Sequence, residues 1–222
     1  MAVYSSVVAA AALTSPLLVQ DNTQAVFVDD VKVPVTLGVM SRCPDAMLCE
    51  SVFNKVLQSV GDKVDISLTF IGKLNPSEPD YGVTCMHGPE ECAGNVQELC
   101  AAKYHPASQW WNFVQCQNFQ GRDHIGLPET ATHCATSVGI DWESGDAGRC
   151  AGQDGKGEEG VGLLQQNVQD TADMGIEKSC TIMINGETVC IRDGTWYSCE
   201  GGHTPTDFIR QINAEYERLN SL

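Results

Sequence analysis

Positive charge is scarce in this chain. Thirteen Lys and Arg stand against 29 Asp and Glu, a formal net charge of −16. A surface of that sign is repelled by a phosphate backbone, so no nucleic-acid partner is expected. Long apolar runs are also missing: beyond position 20 no 18-residue stretch is free of polar residues, so no internal membrane span is expected. There is no N-glycosylation sequon, because Asn75-Pro76-Ser77 is disqualified by its proline. No internal repeat and no phosphate-cradling Gly loop is found. The acidic residues are scattered, as on a solvated surface rather than in a catalytic dyad. What the chain has in excess is cysteine, 11 in 222 residues. That content is ordinary in an oxidising compartment and high for a reducing cytosol. An odd count cannot pair fully within one chain. With 42% apolar and 19% charged residues, the rest is an ordinary globular composition, long enough for one domain or one domain with a large insertion.

Met1 to Gln20 carries no charge, and Val7 to Leu13 resembles the apolar core of a secretory signal. The basic segment that should precede it is missing, since the first Lys is Lys32. Residues 1–30 are therefore set apart as a leader or a disordered N-terminus.

Val33 to Met40 is short and β-branched and predicts a buried strand. A helical pattern follows through Val52, Phe53, Val56, Leu57 and Val60 and stops at Gly61. Val64 to Ile71 alternates as a second strand, which completes a βαβ unit with a parallel pair. From Asn75 the rhythm changes to cysteine-rich sequence, with short helices fitting Asn95 to Lys103, Ser108 to Cys116 and Thr130 to Val138. Gly152 to Gly162 reads as a linker. Glu158 to Met174 predicts a longer helix, Cys180–Asn185 and Thr188–Arg192 a hairpin around Gly186-Glu187, and Thr206 to Leu219 a last amphipathic helix. The order β-α-β, helical insert, α-β-β-α gives an α/β thioredoxin-like fold with a disulfide-rich, mainly helical insertion. The fold proper is expected in residues 31–74 and 158–222, the insertion in 75–157.

Chemistry is expected where the first strand meets the first helix. Cys43 sits at the carboxyl end of a parallel strand, where sites gather. Backbone N–H groups at a helix N-terminus favour a thiolate, Arg42 adds positive charge, and Pro44 suits the first helical position. A disulfide reductase also needs a resolving thiol. The next cysteine is Cys49. Six helical residues rise about 9 Å and turn about 240°, whereas a disulfide needs Cα atoms within about 7 Å. A Cys43–Cys49 bond thus requires Pro44 to Leu48 to be a loop. The bland alternative places both cysteines in ordinary structural bonds.

A second motif is Cys85-Met86-His87-Gly88-Pro89-Glu90-Glu91-Cys92-Ala93-Gly94-Asn95. Cys85, His87 and Cys92 could be zinc ligands, but the spacing fits no common zinc pattern and a fourth ligand is not apparent. A disulfide around the His-Gly turn is the structural alternative. The motif resembles the CQHGxxECxxN signature of the gamma-interferon-inducible lysosomal thiol reductase (GILT) family, with Met86 in place of Gln. The resemblance spans roughly Val33 to Cys199. It implies a thioredoxin-like fold with a helical insertion, reduction of protein disulfides, and a secreted or endolysosomal, vacuole-like setting. Two departures stand out. Ala46 occupies the place of the resolving cysteine of the family's Cys-x-x-Cys. Ser179-Cys180 occupies the place of a cis-proline, and a trans peptide is expected there, since a cis bond before a non-proline costs about 2.5–4 kcal/mol.

The leading functional reading is a thiol–disulfide oxidoreductase acting on disulfide-containing proteins. Cys43 is its nucleophile and Cys49 its resolver; a small thiol recycles it, with no bound cofactor. The alternatives are a catalytically weak, secreted binding protein on the same scaffold, with Cys43 locked in a structural disulfide, and a metal module through Cys85, His87 and Cys92. Pairing near neighbours in sequence gives Cys85–Cys92, Cys100–Cys116, Cys134–Cys150 and Cys190–Cys199. Cys180 is then the odd thiol, expected close to Cys43 and either inert or an alternative resolver. Trp110, Trp111 and Phe113 are read as insertion core rather than a peptide-binding patch. His105, His124, His133 and His203 share no spacing.

Overall fold

The computed structural model describes Met1 and residues 30–221. The leader reading falls on residues 2–29, outside the described residues. Residues 31–221 form one compact unit.

Its centre is β1 (Val33–Val39), whose Val33, Val35, Leu37 and Val39 are fully buried. These alternate residues share one face of the strand, which is turned wholly into the core. β1 pairs in parallel with β2 (Val64–Phe70), from Val33 opposite Val64 to Val39 opposite Phe70. On its other side it pairs antiparallel with β5 (Thr181–Ile184). β6 (Glu187–Asp193) and β7 (Thr195–Tyr197) complete the sheet in the order β2-β1-β5-β6-β7. The turn between β5 and β6 is Asn185-Gly186, both at positive φ (48° and 82°), the conformation a tight hairpin turn demands.

α1 (Pro44–Val60) is the crossover from β1 to β2. Its buried stripe, Ala46, Cys49, Phe53, Val56 and Val60, follows helical spacing. It packs on α7 (Pro205–Asn220), where Phe53 and Phe208 meet with ring centroids 5.0 Å apart. α7 starts with a reciprocal cap: Asp207 N–H donates to the Thr204 hydroxyl, and Thr204 N–H donates to the Asp207 carboxylate. α6 (Glu158–Asp173) buries Leu164 and Val168 and packs against β2.

Between β2 and α6 run a small hairpin, β3 (Lys73–Leu74) with β4 (Val83–Thr84), and four helices: α2 (Pro89–Tyr104), α3 (Ala107–Gln120), α4 (Pro128–Ser137) and α5 (Asp146–Ala151). Trp110, Trp111 and Phe113 are buried in this layer, and Phe113 stacks on Trp142 at 5.2 Å. Two of the sequence-neighbour disulfide pairings are corrected here. Cys100 bonds Cys150, not Cys116, and Cys116 bonds Cys134. α2 packs against α5, and α3 against α4, so helix contacts rather than sequence distance choose the partners. Cys85–Cys92 and Cys190–Cys199 pair as expected. No helix among the described residues is long and apolar enough to cross a membrane.

Candidate active site

Met40, Ser41 and Arg42 carry the chain from β1 to the start of α1. Cys43 is the N-cap residue, with extended backbone (φ −81°, ψ 125°), and Pro44 takes the first helical turn, where no N–H is needed. The Cys43 N–H donates to Met40 O at 2.8 Å, and its carbonyl accepts from Met47 N–H at 3.0 Å. The thiol donates to the Ser179 carbonyl at 3.7 Å. Cys43 is 7% exposed, and it is free; the other ten cysteines are paired. The binding-protein alternative, which locks Cys43 in a structural disulfide, does not match that state.

The Cys43–Cys49 pairing is corrected. α1 is helical from Pro44 onward, so the loop such a bond requires is absent. Cys49 lies on the buried face of the helix and is bonded to Cys180, with Cα atoms 6.4 Å apart. Cys180 is therefore not the odd thiol. It does lie beside Cys43, since the carbonyl that accepts the Cys43 thiol belongs to the preceding residue. The expectation of a trans Ser179-Cys180 peptide is also corrected, because the bond is cis. Tertiary contacts hold both sides of it. Ser179 Oγ accepts Met40 N–H at 3.0 Å. Cys180 exchanges two backbone hydrogen bonds with Arg192, at 2.7 and 2.8 Å. The Arg192 side chain then reaches Asp45, in the first turn of α1, at 3.2 Å. Asp45 also accepts Gly194 N–H at 2.8 Å.

The second motif buttresses the thiol loop from the other side. Cys85 and Cys92 form a disulfide. That bond uses both thiols that a zinc site would need as thiolates, and no group of three candidate ligands converges among the described residues. Gly88, at φ 93°, turns the chain into α2. The His87 ring pairs with the buried Glu91 carboxylate. One turn further, Asn95 Oδ1 accepts Ser41 N–H at 3.1 Å, while Glu91 O accepts the Ser41 hydroxyl at 3.2 Å. Gly94 permits this approach: a Cβ there would lie 2.7 Å from Ser41 Oγ and 2.7 Å from Ile125 Cγ2. Arg42 donates to Ile125 O and Asp123 O, ahead of α4, and faces Glu90 at 3.8 Å. The motif's residues were visible in the sequence. Their role, clamping Ser41-Arg42-Cys43 from 50 or more residues away, was not.

Two carboxyls, Glu50 on α1 and Glu98 on α2, are buried. Burial pushes Glu50 up to about 8, against a hydrogen bond from Asn118 that acts the other way. Glu98 is raised by burial and then by the charges of Glu50 and Glu91. Alternation and periodicity gave no signal for either.

Residues 34–138 match the family described as gamma interferon inducible lysosomal thiol reductase (GILT). Over that stretch the chain is similar to the family. GILT-like protein 1 of Drosophila melanogaster is 27% identical over 128 residues, 51% of this chain and 51% of that protein. The chain thus spans about half the length of the curated GILT relative it matches. Among solved structures, BdbD of Bacillus subtilis superposes with a TM-score of 0.57 at 15% identity, covering 86% of this chain and 90% of that one. MdbA of Corynebacterium diphtheriae, a thiol-disulfide oxidoreductase, gives 0.55 at 14%, covering 85% and 87%. A thioredoxin-like oxidoreductase of Silicibacter pomeroyi gives 0.51 at 11%, covering 85% and 88%. At these identities the likeness shows the fold, and the fold is thioredoxin-like. Against the GILT pattern of paired active cysteines, Ala46 is a fully buried core residue of α1.

Proposed function

We propose that the protein is a thiol–disulfide oxidoreductase that reduces disulfides of protein substrates, with Cys43 as the attacking thiol. One observation carries the reading: of 11 cysteines, the one left free caps the N-terminus of the helix after the central strand, at the sheet's carboxyl edge. A thiol in such a place lies at the rim of the sheet, where sites gather. The thiolate attacks one sulfur of a substrate disulfide, and a mixed disulfide forms as the other sulfur leaves. Thiol–disulfide exchange proceeds between sulfurs alone, and a small thiol supplies the electrons. Five disulfides support an oxidising setting, secreted or endolysosomal, in keeping with the family's description as lysosomal.

The test is Cys43→Ser in an insulin-reduction assay. The variant is expected to lose reduction while its circular dichroism stays unchanged. Retained activity overturns the reading.

A further inference from the structure

Resting on that reading, we propose that the Cys49–Cys180 disulfide is the electron store of a three-cysteine relay in which Cys180 resolves the Cys43 mixed disulfide and Cys49 then frees Cys43. Three observations lead there. First, Cys43 and Cys49 cannot meet, since six residues of regular helix set them about 9 Å apart along the axis. Second, Cys180 touches both neighbourhoods. Its sulfur is bonded to Cys49, and the peptide carbonyl on its N-terminal side accepts the Cys43 thiol at 3.7 Å. Third, exposure is graded. Cys43 is 7% exposed, whereas Cys49 and Cys180 are both at 0%. Solvent thiols thus reach the inner pair only through Cys43.

The steps balance. In the fully reduced enzyme the Cys43 thiolate attacks a substrate disulfide. A Cys43–substrate bond forms, the substrate bond breaks, and one substrate sulfur leaves with the proton Cys43 gave up. The Cys180 thiolate then attacks Cys43 Sγ, forming Cys43–Cys180 and releasing the second substrate thiol with the Cys180 proton. Finally the Cys49 thiolate attacks Cys180 Sγ, forming Cys49–Cys180 and returning Cys43 as a thiol with the Cys49 proton. Two electrons pass from Cys49 and Cys180 to the substrate, and the product has the arrangement seen here. Resetting runs inward: Cys43 attacks Cys180 and releases Cys49. Two molecules of a small thiol such as glutathione then clear Cys43, leaving as their own disulfide.

Ala46 gives the relay its reason. With no thiol one turn along α1, a resolver has to come from across the sheet, and position 180 faces the nucleophile there.

The test uses the folded protein and glutathione, with no protein substrate. Native protein is incubated with glutathione, quenched with acid, alkylated and peptide-mapped by mass spectrometry. In wild type, Cys49 and Cys180 are expected to gain label together while the other four disulfides stay closed. In Cys43→Ser, which keeps the Cys49–Cys180 bond, opening is expected to slow by about tenfold or more, because a buried disulfide depends on access. In Cys49→Ala, treatment with oxidised glutathione is expected to yield a peptide joining Cys43 to Cys180. Equal opening rates in wild type and Cys43→Ser overturn the relay. So does a folded Cys49→Ala protein in which Cys43 and Cys180 both stay alkylatable after oxidation. If Cys49→Ala does not fold, the rate comparison decides alone. Insulin reduction by Cys43→Ser refutes the nucleophile instead, so the two failures are separable.

Discussion

Glu50→Gln isolates one carboxyl on the buried face of the helix that Cys43 caps. Glu50 is buried, its Oε2 accepts from Asn118 Nδ2 at 2.5 Å, and its Oε1 has no hydrogen-bond partner. Burial holds the folded carboxyl protonated up to about 8, against an ordinary value of 4.5. The folded pKa is raised for an acid, so the unfolded chain ionises first. Stability is therefore greatest below the unfolded value and falls as pH rises from 4.5 to 8. Each pH unit in that window costs about 1.4 kcal/mol. At pH 7 the loss comes to about 3 kcal/mol, a large share of the stability of an ordinary domain. Glutamine has the shape of the protonated acid, keeps an acceptor for Asn118, and does not titrate. Urea unfolding followed by circular dichroism, disulfides intact, gives stability at each pH. The variant is expected to lose about 1.4 kcal/mol per pH unit of the wild-type slope across the window. Glu98 is raised partly by the Glu50 charge, so Glu98→Gln and the double variant complete the comparison and separate its share. Parallel wild-type and variant curves would refute the argument.

The loop clamp makes further predictions. Asn95→Ala leaves the buried Ser41 N–H without its acceptor and is expected to cost about 1–3 kcal/mol in urea unfolding. Gly94→Ala is expected to destabilise by about 1–3 kcal/mol despite alanine's better helix propensity, because its methyl meets Ser41 and Ile125; thermal melts and the rate of Cys43 alkylation report it together. Chelation should leave the circular dichroism unchanged, since Cys85 and Cys92 are joined to each other; loss of structure with a chelator would restore the metal module.

The sequence exposed elements that are long or strictly periodic. β1, α1 and β2 came from a β-branched run, a helical stripe and an alternation, and α6 and α7 lie within a residue or so of their expected bounds. β3, β4 and β7, of two or three residues, are too short to carry a period. α2 begins at Pro89, six residues before its expected start, because Gly88-Pro89 is itself a start signal. In the candidate site, Cys43 was legible from strand, Pro and helix. The nearness of Cys180 to it was also legible, from the place a cis-proline would take; the bond from Cys180 to Cys49 was not, because the two are 131 residues apart and their meeting depends on how β5 joins β1. A buried carboxylate such as Glu50 leaves no mark, since one charged letter on a helix is usually a solvated one.

The loop that presents Cys43 is finished by residues on α2 and ahead of α4, so the helical layer is no detachable module. A shortened chain joining β2 straight to α6 would keep the sheet strands and α1, yet strip Ser41 and Arg42 of the groups that hold them. Grafting this thiol onto another scaffold faces the same demand: the strand and helix are not enough without the distant motif that braces them. For the same reason, variation in the layer's interior reaches the cysteine without touching it, and a survey of tolerated substitutions should find Gly94 and Asn95 as restrictive as positions lining the thiol itself.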